Sequence, residues 1–201
     1  MIALIDYKAG NLTSVRKALS AVGAEFFTPT QPDELARAAA IIVPGVGHFA
    51  ATRNIDGEWT ARIRSHVDSG KPLLGICVGM QWLYEGSEEA PDLPGLGLMS
   101  GSCRRLRPPS EAGLKVPHVG WNSLDLRRPA PIADGVAAHS QVYFTHSYAP
   151  PVTDDTVAMT THGEAFTAVV QRGQVSGVQF HPEKSGDVGL RMLRNFVEKV
   201  S

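Results

Sequence analysis

Four short apolar runs alternate with helical patterns through the first half of the chain, and no other feature constrains the fold as much. Ile2-Ala3-Leu4-Ile5, Glu25-Phe26-Phe27, Ala40-Ile41-Ile42-Val43 and Pro72-Leu73-Leu74-Gly75-Ile76 all have strand length. After the first, Leu12, Val15, Leu19 and Val22 recur at three- and four-residue steps, with Asn11 as the candidate cap and Gly23 as the stop. A short helix opens near Pro32-Asp33. A longer one carries Trp59, Ile63 and Val67 on one face, with Gly70 beyond its end. Strands separated by helices pair in parallel, because a parallel pair needs a long crossover.

The second half changes character. Segments 97–106, 116–126, 141–148 and 156–161 read as successive strands, and 166–170 and 175–180 flank Gln171-Arg172-Gly173-Gln174, a hairpin signal. The chain closes on an amphipathic helix with Val188, Met192, Leu193, Phe196 and Val200. With no repeat, low-complexity tract or long linker, residues 1–201 read as one domain. The expected architecture is a three-layer α/β/α fold around a mixed sheet whose later strands include antiparallel pairs.

Composition narrows the function classes. At 201 residues, 43% apolar and 19% charged, the chain can bury a single core, and its formal charge of -1 gives no reason to expect nucleic acid or an anionic membrane as partner. No apolar run approaches the ~20 residues that span a bilayer, and the first residues lack the basic leader of a signal peptide. Two cysteines make no disulfide framework, so reduced thiols and a cytoplasmic location are expected. No His, Cys, Asp or Glu spacing has the pattern of a metal site, and no cofactor is expected.

Chemistry concentrates at strand ends. Gly75-Ile76-Cys77-Val78-Gly79 follows a buried strand and precedes a helical pattern, the spacing of a nucleophile elbow with Cys in place of Ser. A helix N-terminus there favours a thiolate and leaves the Val78 N–H free for an oxyanion. A buried structural cysteine between two chance glycines is the competing reading. His181 ends the run 175–180 and is followed, past Pro182, by Glu183. A cysteine nucleophile needs an imidazole to move its proton, and the imidazole needs an acid to fix its tautomer. In an open parallel sheet such strand ends share an edge. Pro44-Gly45-Val46-Gly47-His48 ends another strand, and the Val46 or Gly47 amide is the candidate second oxyanion donor.

Taken together, these residues resemble the class I, triad-type glutamine amidotransferases, which have a flavodoxin-like fold and hydrolyse glutamine through a Cys–His–Glu triad. The shared elements are Gly75-Ile76-Cys77-Val78-Gly79-Met80-Gln81 and His181-Pro182-Glu183-Lys184-Ser185-Gly186. Asp6-Tyr7-Lys8-Ala9-Gly10-Asn11-Leu12 and Pro117-His118-Val119-Gly120-Trp121-Asn122 resemble the branch that supplies ammonia to a separate (β/α)8-barrel cyclase in histidine biosynthesis. The resemblance implies a heterodimer with that synthase subunit and L-glutamine as the small-molecule substrate. It implies that Gln81 and Glu89 hold the substrate head group, with backbone of Gly47, Ser147 and Tyr148, and that Asn11, Trp121 and Lys184 face the partner. Trp121 could equally be core packing. Lys8 and Val119 depart from the Gly and Met that many members carry. The rivals are a glutaminase of another pathway, a Cys peptidase or γ-glutamyl hydrolase, and an interaction protein with an inert site.

Overall fold

The structure is a computed structural model and describes residues 1–9, 12–55 and 57–199. In chain order the elements are β1 (Ile2–Leu4), α1 (Leu12–Ala21), β2 (Phe26–Phe27), β3 (Ala40–Val43), α2 (Gly57–Asp68), β4 (Leu73–Ile76) and α3 (Val78–Trp82). There follow β5 (Gly86–Ser87), β6 (Ser102–Arg105), β7 (His118–Ser123), β8 (Asp125–Leu126), β9 (Gln141–His146) and β10 (Tyr148–Ala149). The last are β11 (Thr156–His162), β12 (Glu164–Arg172), β13 (Val175–Val178) and α4 (Gly186–Glu198). The expected cap Asn11 and the expected core residue Val200 lie outside the described residues.

The central sheet runs β2-β1-β3-β4-β13-β12-β11-β8. Its first five strands are parallel, and β12, β11 and β8 add antiparallel pairs. The hairpin joining β12 to β13 pairs Arg172 with Val175 across a two-residue loop, where Gly173 takes φ +55°. That loop is one the hairpin signal predicts. Two smaller groupings sit beside the main sheet: β10-β6-β5, and the antiparallel ribbon β7-β9. The expected strand 97–106 shrinks to Ser102–Arg105 in the first of these.

Strand periodicity builds the layers. Ile2, Leu4, Ala40, Ile42, Leu74 and Ile76 share a core with Val15 and Leu19 of α1 and Met192, Leu193 and Phe196 of α4. The alternate residues Ala3, Ile41, Val43 and Leu73 join Ile63 of α2 and Met80 of α3 in the other core. Successive side chains point to opposite faces, so one sheet seals both layers. Beyond β1, Lys8 takes φ +64°, a conformation that favours glycine.

Because β3, β4 and β13 are parallel neighbours, their C-terminal ends meet at one edge. Val43 registers with Gly75, and Ile76 with Val178. The residues that follow these strands are Pro44, Cys77 and Gln179. That edge is where an open α/β sheet places a site.

Candidate active site

Cys77 occupies the turn between β4 and α3 at φ 53° and ψ −111°, a strained conformation for a side-chain-bearing residue. Its N–H donates to the Val178 carbonyl at 2.8 Å, which ties the elbow to β13. Both flanking glycines are required by close approach. A Cβ on Gly79 would stand 1.8 Å from the Val43 carbonyl oxygen, and one on Gly75 would stand 2.6 Å from the Gly79 carbonyl oxygen.

The Pro44–His48 loop is pressed onto this turn. A Cβ on Gly45 would meet the Tyr7 hydroxyl at 2.3 Å, Val78 Cβ at 2.8 Å and Gly79 N at 2.9 Å. Gly47 takes φ +91° and lines the cleft over Cys77, whereas Val46 is half-buried and does not line it. Val78, Gln81, Glu89, Ser147 and Tyr148 line the same cleft. The room inside, about 30 Å³, is enough for little more than a water molecule.

His181 follows β13 and is 1% exposed. Its backbone N–H donates to the Tyr143 carbonyl at 3.0 Å, and Ser185 Oγ donates to the His181 carbonyl at 2.6 Å while accepting from the Tyr143 N–H at 3.0 Å. With the backbone so fixed, Nδ1 lies 2.8 Å from Glu183 Oε1, both side chains being buried. Nε2 makes no hydrogen bond. Burial works against the charged imidazole, but the Cys77 sulfur and the Glu183 carboxylate outweigh it and raise the pKa of His181 above the usual range. Nδ1 is taken by Glu183, so the coupling to sulfur acts from Nε2.

The substrate-side candidates are held from behind. Glu89 Oε2 accepts from the Phe49 N–H at 2.7 Å, joining its loop to the segment after Gly47. It is therefore no freely solvated charge of an acidic run. Gln81 Nε2 donates to the Tyr148 carbonyl at 2.8 Å and to Gln179 Oε1 at 3.1 Å, and its own Oε1 is buried without a partner.

The partner-side candidates fall on one outer face. Trp121 is 56% exposed on β7 and stacks edge-on to Tyr143 at 6.0 Å, so the core-packing reading fails. Exposed Lys184 sits 5.8 Å above the same Tyr143 ring. Asn11 lies outside the described residues.

Sequence reasoning missed Gln179, which reaches Cys77, and Tyr7, whose buried hydroxyl has no partner. Burial raises the pKa of that hydroxyl, and the Cys77 sulfur raises it further. The available signal was a polar Gln inside the apolar run 175–180. Among the described residues no group of three or more His, Cys, Asp or Glu could hold a metal ion, and no helix is long and apolar enough to cross a membrane.

The family model for glutamine amidotransferase class-I matches residues 3–200. The chain belongs to the class I glutamine amidotransferases. This amidotransferase is 48% identical, over all of its own length and 90% of the relative's, to a Gloeobacter violaceus protein named imidazole glycerol phosphate synthase subunit HisH. A Geobacillus kaustophilus protein of the same name is 46% identical, with 98% of this chain and 96% of the relative covered. Among solved structures, one described as PurLQS from Thermotoga maritima superposes with a TM-score of 0.76 at 19% identity, covering 100% of this chain and 98% of that one. At that identity the likeness speaks for the fold alone, and the fold is the amidotransferase one expected.

Proposed function

We propose that this amidotransferase is the glutaminase subunit of an imidazole glycerol phosphate synthase. In this reading it is one domain over residues 1–201, and it works in the cytoplasm as a heterodimer with a (β/α)8-barrel cyclase. Full-length relatives at 40–48% identity carrying that subunit name support it.

The observation that carries the chemistry is the buried 2.8 Å contact of His181 Nδ1 with Glu183 Oε1, which leaves Nε2 free to serve Cys77. His181 takes the thiol proton, and the sulfur attacks the side-chain amide carbon of glutamine. The Val78 amide and that of Gly47 or Val46 hold the tetrahedral oxyanion. The imidazolium, stabilised by Glu183, gives its proton to the departing nitrogen, and ammonia leaves. Water activated by His181 then cleaves the thioester to glutamate. The free Oε1 of Gln81 and the Glu89 carboxylate are acceptors suited to the α-ammonium of the substrate, with Ser147 and Tyr148 as the opposite wall. Ammonia passes to the barrel, which forms imidazole glycerol phosphate and the aminoimidazole carboxamide ribotide. Asn11, Trp121 and Lys184 are the proposed contacts to that barrel.

The test is glutamine hydrolysis with and without the barrel subunit and its phosphoribulosyl nucleotide. Hydrolysis stimulated by both supports the assignment. Turnover of poly-γ-glutamate or peptide without any partner contradicts it.

A further inference from the structure

A line of hydrogen bonds runs from the β7-β9 ribbon to the Cys77 sulfur. It begins at Asn122, whose amide is fixed at both ends. Its Oδ1 accepts from the Ser123 N–H at 2.8 Å, and its Nδ2 donates to the Thr161 carbonyl at 3.0 Å. Nδ2 also lies 3.3 Å from His118 Nε2, which must therefore accept. The proton of His118 is left on Nδ1, which lies 3.2 Å from His146 Nε2. His146 Nδ1 in turn sits 2.9 Å from the Tyr148 carbonyl, which can only accept. Each ring thus has one tautomer, and both rings are neutral. Burial, reinforced by the neighbouring histidines, pushes His118 down to about 4 and His146 down to about 3.

At Tyr148 the direction turns. Its carbonyl accepts from both His146 and Gln81, so both lone pairs are used. The second Nε2 hydrogen of Gln81 goes to Gln179 Oε1. Gln179, itself fully buried, must then turn its Nε2 towards Cys77, and that nitrogen stands 3.7 Å from Sγ. Reversing Gln81 would set its oxygen against the Tyr148 carbonyl. Reversing Gln179 alone would set two amide NH₂ groups face to face.

We infer that Gln179 is a further catalytic residue, its N–H aimed by Gln81 and the Tyr148 carbonyl to donate to the Cys77 sulfur and hold it as the attacking thiolate. This rests on Cys77 being the nucleophile, as proposed above. His181 and the Tyr7 hydroxyl are the other titratable groups that act on that sulfur. His181 must carry the proton onward to the leaving nitrogen, whereas Gln179 has no proton to transfer and stays beside the sulfur. His146 is a positioning residue, acting through the Tyr148 carbonyl.

The test is the rate of Cys77 alkylation by iodoacetamide in the full chain across pH, read from the mass of the peptide carrying Cys77. A hydrogen bond to a charged group contributes about 1.5–3 kcal/mol, so Gln179→Met should slow alkylation at pH 7 about tenfold or more. In the glutaminase assay kcat should fall while KM stays. His146→Asn, whose amide can still donate to Tyr148, should retain more of the rate than His146→Gln. A folded Gln179→Met chain that alkylates at the unsubstituted rate at every pH overturns the inference. Should that variant not fold, an unchanged rate in the isosteric Gln179→Glu overturns it equally. Alkylation of Cys77 that spares glutaminase activity would sink the nucleophile assignment instead, and this inference with it.

Discussion

Glu183 meets His181 through one oxygen, and that single 2.8 Å contact decides which imidazole nitrogen is free for sulfur. Glu183→Gln keeps an acceptor for the Nδ1–H but removes the charge that stabilises the imidazolium. Steady-state kinetics should show kcat lower by about a hundredfold or more with KM little changed. The two relay histidines set an acid limit on stability. Unfolded imidazoles take up protons below about pH 6.5, whereas His146 resists until about 3 and His118 until about 4. The unfolded state then binds more protons, so their contribution is complete above about pH 6.5 and is lost as pH falls. His181 works in the opposite sense. Its raised pKa adds stability that is complete below about pH 6.5 and fades as pH rises. Urea midpoints should drop between pH 7 and pH 5, and less steeply in His146→Gln. Equal slopes for the two proteins would contradict the account of the relay.

At the scale of elements, the elbow depends on how closely β3 approaches α3. Gly79→Ala drives a methyl into the Val43 carbonyl, which neither backbone can avoid. It should destabilise the fold by about 3 kcal/mol or more, measurable by thermal unfolding, and reduce soluble yield. The strands that line this edge were readable in the sequence because β1, β3 and β4 are continuous apolar runs between helical patterns. The two-residue strand β5, Gly86–Ser87, has no apolar side chain to be read by, unlike the equally short Phe26–Phe27. The chemistry at their ends put β4 and β13 on one edge, but their direct pairing was not legible, since they lie about a hundred residues apart. The same distance hid Gln179. Cys77, His181 and Glu183 announce themselves in short motifs, but the meaning of Gln179 comes from partners 98 and 102 residues away. His118 and His146 are plain in the sequence, yet their ring-to-ring contact follows from the register of β7 on β9.

At the scale of the whole molecule, the sheet edge bearing the cleft and the ribbon bearing Trp121 are neighbours. Val119 and Trp121 are both more than half exposed on one face of β7, an apolar pair of the kind that anchors interfaces. Trp121→Ala should leave the stability of the isolated chain within about 0.5 kcal/mol. It should weaken binding of the proposed barrel partner by about 2 kcal/mol or more in calorimetric titration. Whichever contacts the partner makes, ammonia has one source in this account, the amide broken at Cys77. The most direct measurement is synthesis by the assembled complex carrying Cys77→Ala, supplied first with glutamine and then with ammonium salts. The account predicts no glutamine-dependent turnover and full ammonium-dependent synthesis. Glutamine-dependent turnover that survives the substitution would contradict it.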